Sequence, residues 1–170
     1  MDVPGVLVGL TEIAVALAGF TGVVVVFGSR SSGSWLPGDR LRMGFMLEAS
    51  LTAGGFALLA LLLVSCLSEL QYVWALASMS WALYMVYSLY ASRQKIKENL
   101  EHHSDIDKTA NHIVFVLFSS LVVLQFLNVV YWRDFAPFLA ALVLNIAGSA
   151  MQFGRLIRSA FHDKRRVYSV

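Results

Sequence analysis

Apolar residues in this chain neither alternate nor keep to one helical face; they run on in long blocks. A membrane-crossing helix needs roughly 20 mostly apolar residues. Stretches of about that length lie at about 4–28 (around VVVVFG), 43–67 (around GGFALLALLLVSC), 71–92 (rich in Trp and Tyr), 110–132 (around IVFVLFSSLVVLQFLNVV) and 135–160. The pattern predicts an all-α fold, an integral membrane helical bundle with five transmembrane helices in a single domain over 1–170. Residues 29–42 and 93–109 are its loops, and 161–170 its basic tail. A signal peptide has a basic start and an apolar core of about 7–15 residues. The first stretch has Asp2 and no Lys or Arg before a longer apolar run, so it reads as a retained helix.

Positive charge sets the expected orientation, because Lys and Arg concentrate in cytoplasmic loops. Arg30, Arg40 and Arg42 follow the first stretch. Arg93, Lys95, Lys97 and Lys108 follow the third, and Arg155, Arg158, Lys164, Arg165 and Arg166 end the fifth. All of the 13 basic residues except Arg133 thus fall on one side, in strict alternation. Five spans with the N-terminus outside and the C-terminus cytoplasmic satisfy this; four spans break it. Tyr72, Trp74, Tyr131 and Trp132 cluster at the expected outer interface, where amphipathic rings are favoured. Trp35, in a Gly- and Pro-rich loop, is expected to lie at the inner one. The segment 94–109 is expected to extend the third helix about two turns, break near Ser104 or Asp105, and leave Asp105 or Asp107 to cap the next helix.

Composition narrows the class. The chain is 58% hydrophobic and 14% charged over 170 residues, against about 45–50% and about 25% in soluble domains. A soluble globular domain, a disordered chain and a nucleic-acid-binding module are excluded on that ground. The expected location is a cell membrane, multi-pass (the inner membrane in a Gram-negative bacterium), and the first partner is the lipid bilayer. Cys66 reads as a small buried apolar residue. His102, His103, Asp105 and Asp107 have metal-binding ligand types without a zinc spacing, so no metal and no cofactor is expected. GxSxG, HExxH, Walker A and dinucleotide motifs are absent, and the chain is read as not an enzyme.

Polar residues within spans are the default functional candidates, because burying them in lipid is costly. Counting along each helix gives an outer set of Glu12, Ser78, Ser80, Gln125, Asn128 and Asn145. The inner set is Thr21, Glu48, Thr52, Tyr87, His112 and Gln152. An ion path or intramembrane polar network is drawn from Glu12, Glu48, Thr52, Gln125, Asn128, Asn145, Gln152 and His112. In the competing structural reading, these side chains hydrogen-bond between helices. Arg155 is the nearest basic candidate for Glu48. Helix packing is assigned to the small residues Gly5, Gly9, Gly19, Gly44, Gly55 and Gly148, where backbones approach closely within the chain or between copies.

Three roles fit. The leading one is an oligomeric ion- or proton-conducting channel, built by self-association through small-residue faces. The first alternative is a non-catalytic accessory or assembly subunit that docks on other membrane proteins. The second is a small proton-linked transporter, against which the missing internal repeat and unbroken helices count.

Overall fold

A computed structural model describes residues 2–32, 37–102 and 108–167, with side chains placed over 2–24, 41–97 and 112–157. Five helices account for nearly all of them: α1 (Val3–Ser32), α2 (Pro37–Cys66), α3 (Leu70–His102), α4 (Lys108–Leu127) and α5 (Phe135–Val167). A wide π-type turn, Asn128–Trp132, continues α4. Four segments are long and apolar enough to cross a membrane: Val3–Val24, Leu41–Cys66, His112–Trp132 and Phe135–Ile157. Their 21 to 26 residues reach about 32–39 Å at about 1.5 Å per residue, enough for a hydrocarbon core of about 30 Å. α3 stands outside that set because Gln71, Tyr, Trp and Ser residues dilute its apolar content. It nevertheless carries no charge from Leu70 to Ser92.

Local chemistry sets the helix ends. The Asp2 carboxylate accepts from the Gly5 N–H at 3.0 Å and caps α1. α4 ends through Arg133, whose φ of 49° and ψ of 45° are left-handed and whose N–H donates to Asn128 O at 2.7 Å. A non-glycine residue at that position costs about 1–2 kcal/mol. Asn128 holds the turn: its Oδ1 accepts from the Asp134 N–H at 3.0 Å, and its Nδ2 donates to Asp134 O at 2.9 Å. α3 extends to His102, as the 94–109 segment suggested. Trp35, the break near Ser104 and the capping by Asp105 or Asp107 lie outside the described residues. So do the side chains of His102 and His103.

Packing divides the bundle into two unlike ends. α2 lies between α1 and α5, while α3 packs on α2 and α4. One core collects Leu7 of α1, Ala57 and Ala60 of α2, Val73, Trp74, Ala77 and Trp81 of α3, Leu121 of α4, and Phe135, Phe138 and Leu142 of α5. These positions fall at the start of α1, α3 and α5 and toward the end of α2 and α4. The core therefore sits at one end. Trp74, expected at an interface, is buried there with its ring 4.8 Å from that of Phe135, whereas Tyr72, Tyr131 and Trp132 are exposed. Cys66 is exposed, not buried, because it is the last residue of α2. Outward faces are apolar: Val15, Phe20, Leu51, Leu58, Leu62, Leu83, Val86, Val123 and Val130 all point away from the bundle.

Candidate functional site

At the opposite end the helices part around a cavity of about 620 Å³, lined by α2, α3, α4 and α5. Small-molecule sites run about 300–1,000 Å³. The lining is laid down by helical spacing. α2 contributes Arg42, Glu48 and Thr52; α3 contributes Ser88, Ser92 and Arg93; α5 contributes Asn145, Gly148, Gln152 and Arg155. On α5 the successive steps of three or four residues keep one face toward the cavity. α4 differs: after His112 it presents only apolar side chains, including Ile113, Phe115, Leu117 and Phe118.

Glu48 is half-buried on this wall and accepts a hydrogen bond from Ser88 Oγ at 2.5 Å. A hydroxyl thus meets the carboxylate across the α2–α3 seam, and Arg155, the partner suggested by sequence, lines the same cavity. The Arg93 guanidinium lies 3.6 Å above the centre of the Phe115 ring, joining α3 to α4. A cation–π contact of this kind stabilises the cation. The lining thus holds three arginines, Arg42, Arg93 and Arg155, and one carboxylate, Glu48.

Next to these lining residues, α2 and α5 are fastened together. Ser50 and Ser149, both fully buried, share a 2.6 Å hydrogen bond between α2 and α5, and Ser149 Oγ donates to Met46 O at 3.0 Å. Gly148 sits beside Phe118, where an added Cβ would find ring carbons at 3.6 Å. The Gln152 Oε1 is buried without a hydrogen-bond partner.

Of the sequence candidates, Glu48, Thr52, His112, Asn145 and Gln152 come together here. Asn145, assigned by counting to the outer set, lines the cavity and donates to Ala141 O at 3.2 Å. Gln125 and Asn128 are elsewhere. Gln125 Nε2 donates to Pro137 O at 2.7 Å, and Asn128 Nδ2 also donates to Ser78 Oγ at 2.8 Å, so both fasten the α3–α4–α5 end. Thr21 and Ser80 return their hydroxyls to Leu17 O and Leu76 O of their own helices. Tyr87 points outward. Glu12 is exposed on α1, away from the cavity.

Among the packing glycines, an added Cβ at Gly9, Gly19, Gly44 or Gly55 would meet nothing within 4 Å, and at Gly5 it would meet only Asp2. The close approach of α1 to α2 occurs instead at Gly54, whose added Cβ would lie 3.3 Å from that of Ala14. Arg42 and Arg93 escaped the sequence reading of the site because their charge was spent on topology. Among the described residues no group of three metal-ligating side chains converges. The chain matches no protein-family model, no curated protein and no solved structure.

Proposed function

We propose that this chain is a small multi-pass membrane protein that crosses the bilayer five times, N-terminus outside and C-terminus cytoplasmic. It works by holding an amphiphilic solute in the cavity at its cytoplasmic end, as a carrier or binding protein. The observation that carries this reading is the asymmetry of the bundle: a chemically mixed cavity at one end, a dense core at the other. The polar groups form two sets, separated along α3 by the fully buried Trp81 and along α5 by the fully buried Leu142. That separation supports a one-sided binding site over a continuous pore within one copy. α3 as the fifth span is supported by its charge-free run from Leu70 to Ser92 and by its outward Leu76, Leu83 and Val86. Reporter fusions at Ser68 and Ser104 test the threading. A periplasmic-type reporter is expected to work only at Ser68, and a cytoplasmic-type reporter only at Ser104. The same side for both would overturn the five-span reading.

An oligomeric pore is the second reading, favoured by one feature of α1. Gly5, Gly9, Glu12, Ala16 and Gly19 follow one another at steps of four and three residues, and among the described residues no other helix comes within 4 Å of a Cβ added at any of the three glycines. Two copies meeting along such a small-residue seam would bring Glu12 between them. Native mass spectrometry after gentle extraction decides it. A defined homo-oligomer, lost in Gly9→Leu, supports the pore; a monomer at all concentrations removes it. A complex with other chains would instead favour the accessory role.

A further inference from the structure

We infer that the junction of α3, α4 and α5 binds a buried water molecule, held between the Trp81 indole N–H and the Gln125 side-chain carbonyl. Both side chains are fully buried, and among the described residues neither Trp81 Nε1 nor Gln125 Oε1 has a hydrogen-bond partner. Gln125 Nε2 donates to Pro137 O at 2.7 Å, and turning the amide round would set two acceptors against each other. Its oxygen therefore needs a donor from elsewhere. Leaving a buried donor or acceptor unpaired is costly, so protein interiors pair such groups with protein atoms or with ordered water. The site is independent of any ligand in the larger cavity.

Two registers put the donor and the acceptor at one level. α3 and α4 run antiparallel: Asn128 bonds Ser78 at 2.8 Å, and farther along the same seam Arg93 stacks on Phe115. Trp81 and Gln125 each stand three residues from the Ser78–Asn128 pair, on the side toward Arg93 and Phe115, so they face each other across the next turn. Trp74 lies against Phe135 and Phe138 of α5. Trp81 follows it by seven residues and keeps that face, while Gln125 reaches α5 through Pro137 O. Both side chains thus turn into the corner between the three helices without bonding each other. Ala77 and Ala141, fully buried in the same core, keep side-chain bulk low there. The chemistry selects the occupant. A metal cation would face the indole hydrogen and an anion the amide oxygen, and the buried polar residues among those described are all uncharged. Water accepts from the first group and donates to the second, and a buried water makes about two to four hydrogen bonds. One turn farther along, Met85 and Leu121 continue the seam, and Met85 lines the cavity. The water therefore fastens α4 to α3 just behind the place where the cavity opens.

The test is nuclear magnetic resonance on the full-length protein in neutral detergent, with isotope-labelled tryptophan indoles on a deuterated background. The indole signal lost in Trp81→Phe, which keeps an aromatic ring and removes the donor, belongs to Trp81. We expect a nuclear Overhauser cross-peak between that indole proton and water. Gln125→Met keeps the side-chain length and removes the acceptor; it should abolish the cross-peak while the other indole signals stay in place. A Trp81 proton with no water cross-peak in the unaltered protein would overturn the site, and a move of its signal in Gln125→Met would then show the two side chains bonded directly. A cross-peak that persists in Gln125→Met would overturn the bridge to Gln125. If either variant fails to fold, a crystal structure of the unaltered protein that resolves ordered waters decides. Density within hydrogen-bonding distance of both atoms supports the bridge, and none there overturns it.

Discussion

Asn128 shows what a polar side chain inside an apolar helix does when its partners are known. It is fully buried and spends both ends of its amide on the α4–α5 turn and on Ser78. Asn128→Ala would strand the Asp134 N–H and carbonyl and the Ser78 hydroxyl. A loss of about 2–4 kcal/mol is expected, read as an earlier detergent-unfolding midpoint. The Ser50–Ser149 pair makes a milder case. Hydrogen bonds between membrane helices average about 0.6 kcal/mol in double-mutant cycles. Ser50→Ala, Ser149→Ala and the double variant should give a coupling of about 0.5–1.5 kcal/mol; additivity would show that the hydroxyls do not act together. The sequence marked Asn128, Gln125 and Glu48 as polar groups within spans. It could not name their partners, because Ser78 is 50 residues from Asn128 and Ser88 is 40 from Glu48. Arg42 and Arg93 were legible only as topology signals, and Arg155 also as a candidate beside Glu48. Their convergence depends on how three helix ends are gathered.

At the scale of elements, existence was far easier to read than contact faces. Each apolar run became a helix within a few residues at the end that carries the dense core, since a long apolar block leaves few alternatives. The opposite ends run further than the apolar blocks do, because Lys, Arg and Glu still favour helix: α3 continues to His102 and α5 to Val167. Faces are harder. Neighbouring residues on a helix point about 100° apart, and small-residue patterns are common in apolar segments, so Gly55 was an easy substitute for Gly54. The structure places the α1–α2 approach at Gly54 against Ala14. Gly54→Val should force the helices apart and cost about 1–3 kcal/mol, whereas Gly55→Val, on an open face, should cost under about 1 kcal/mol. Thermal unfolding in detergent compares the two directly. Equal losses would place the contact elsewhere.

For the whole molecule, the division into a dense end and an open end is the feature that no single-helix pattern announced. The sequence marked the polar residues but misplaced Asn145, which lines the cavity with Glu48 and Gln152. It did not show that the aromatic and alanine-rich segments of α2, α3 and α5 would interlock at one end, leaving the bulkier, charged ends of α3, α4 and α5 apart. In lipid, apolar side chains gain little by leaving the hydrocarbon, so packing follows shape. Ala53, Ala57 and Ala60 admit close neighbours; toward the other end of α2, Phe45 and Glu48 stand where α4 draws away.

The central claim is that this cavity opens to the cytoplasmic side of a five-span bundle. Substituted-cysteine labelling tests it most directly. In a Cys66→Ser background, Ala49→Cys and Met151→Cys both line the cavity, and a membrane-impermeant thiol reagent is applied to right-side-out and inside-out vesicles. Labelling of both sites from the cytoplasmic face alone is the expected result. Labelling from the outer face, or none from either, would contradict the account.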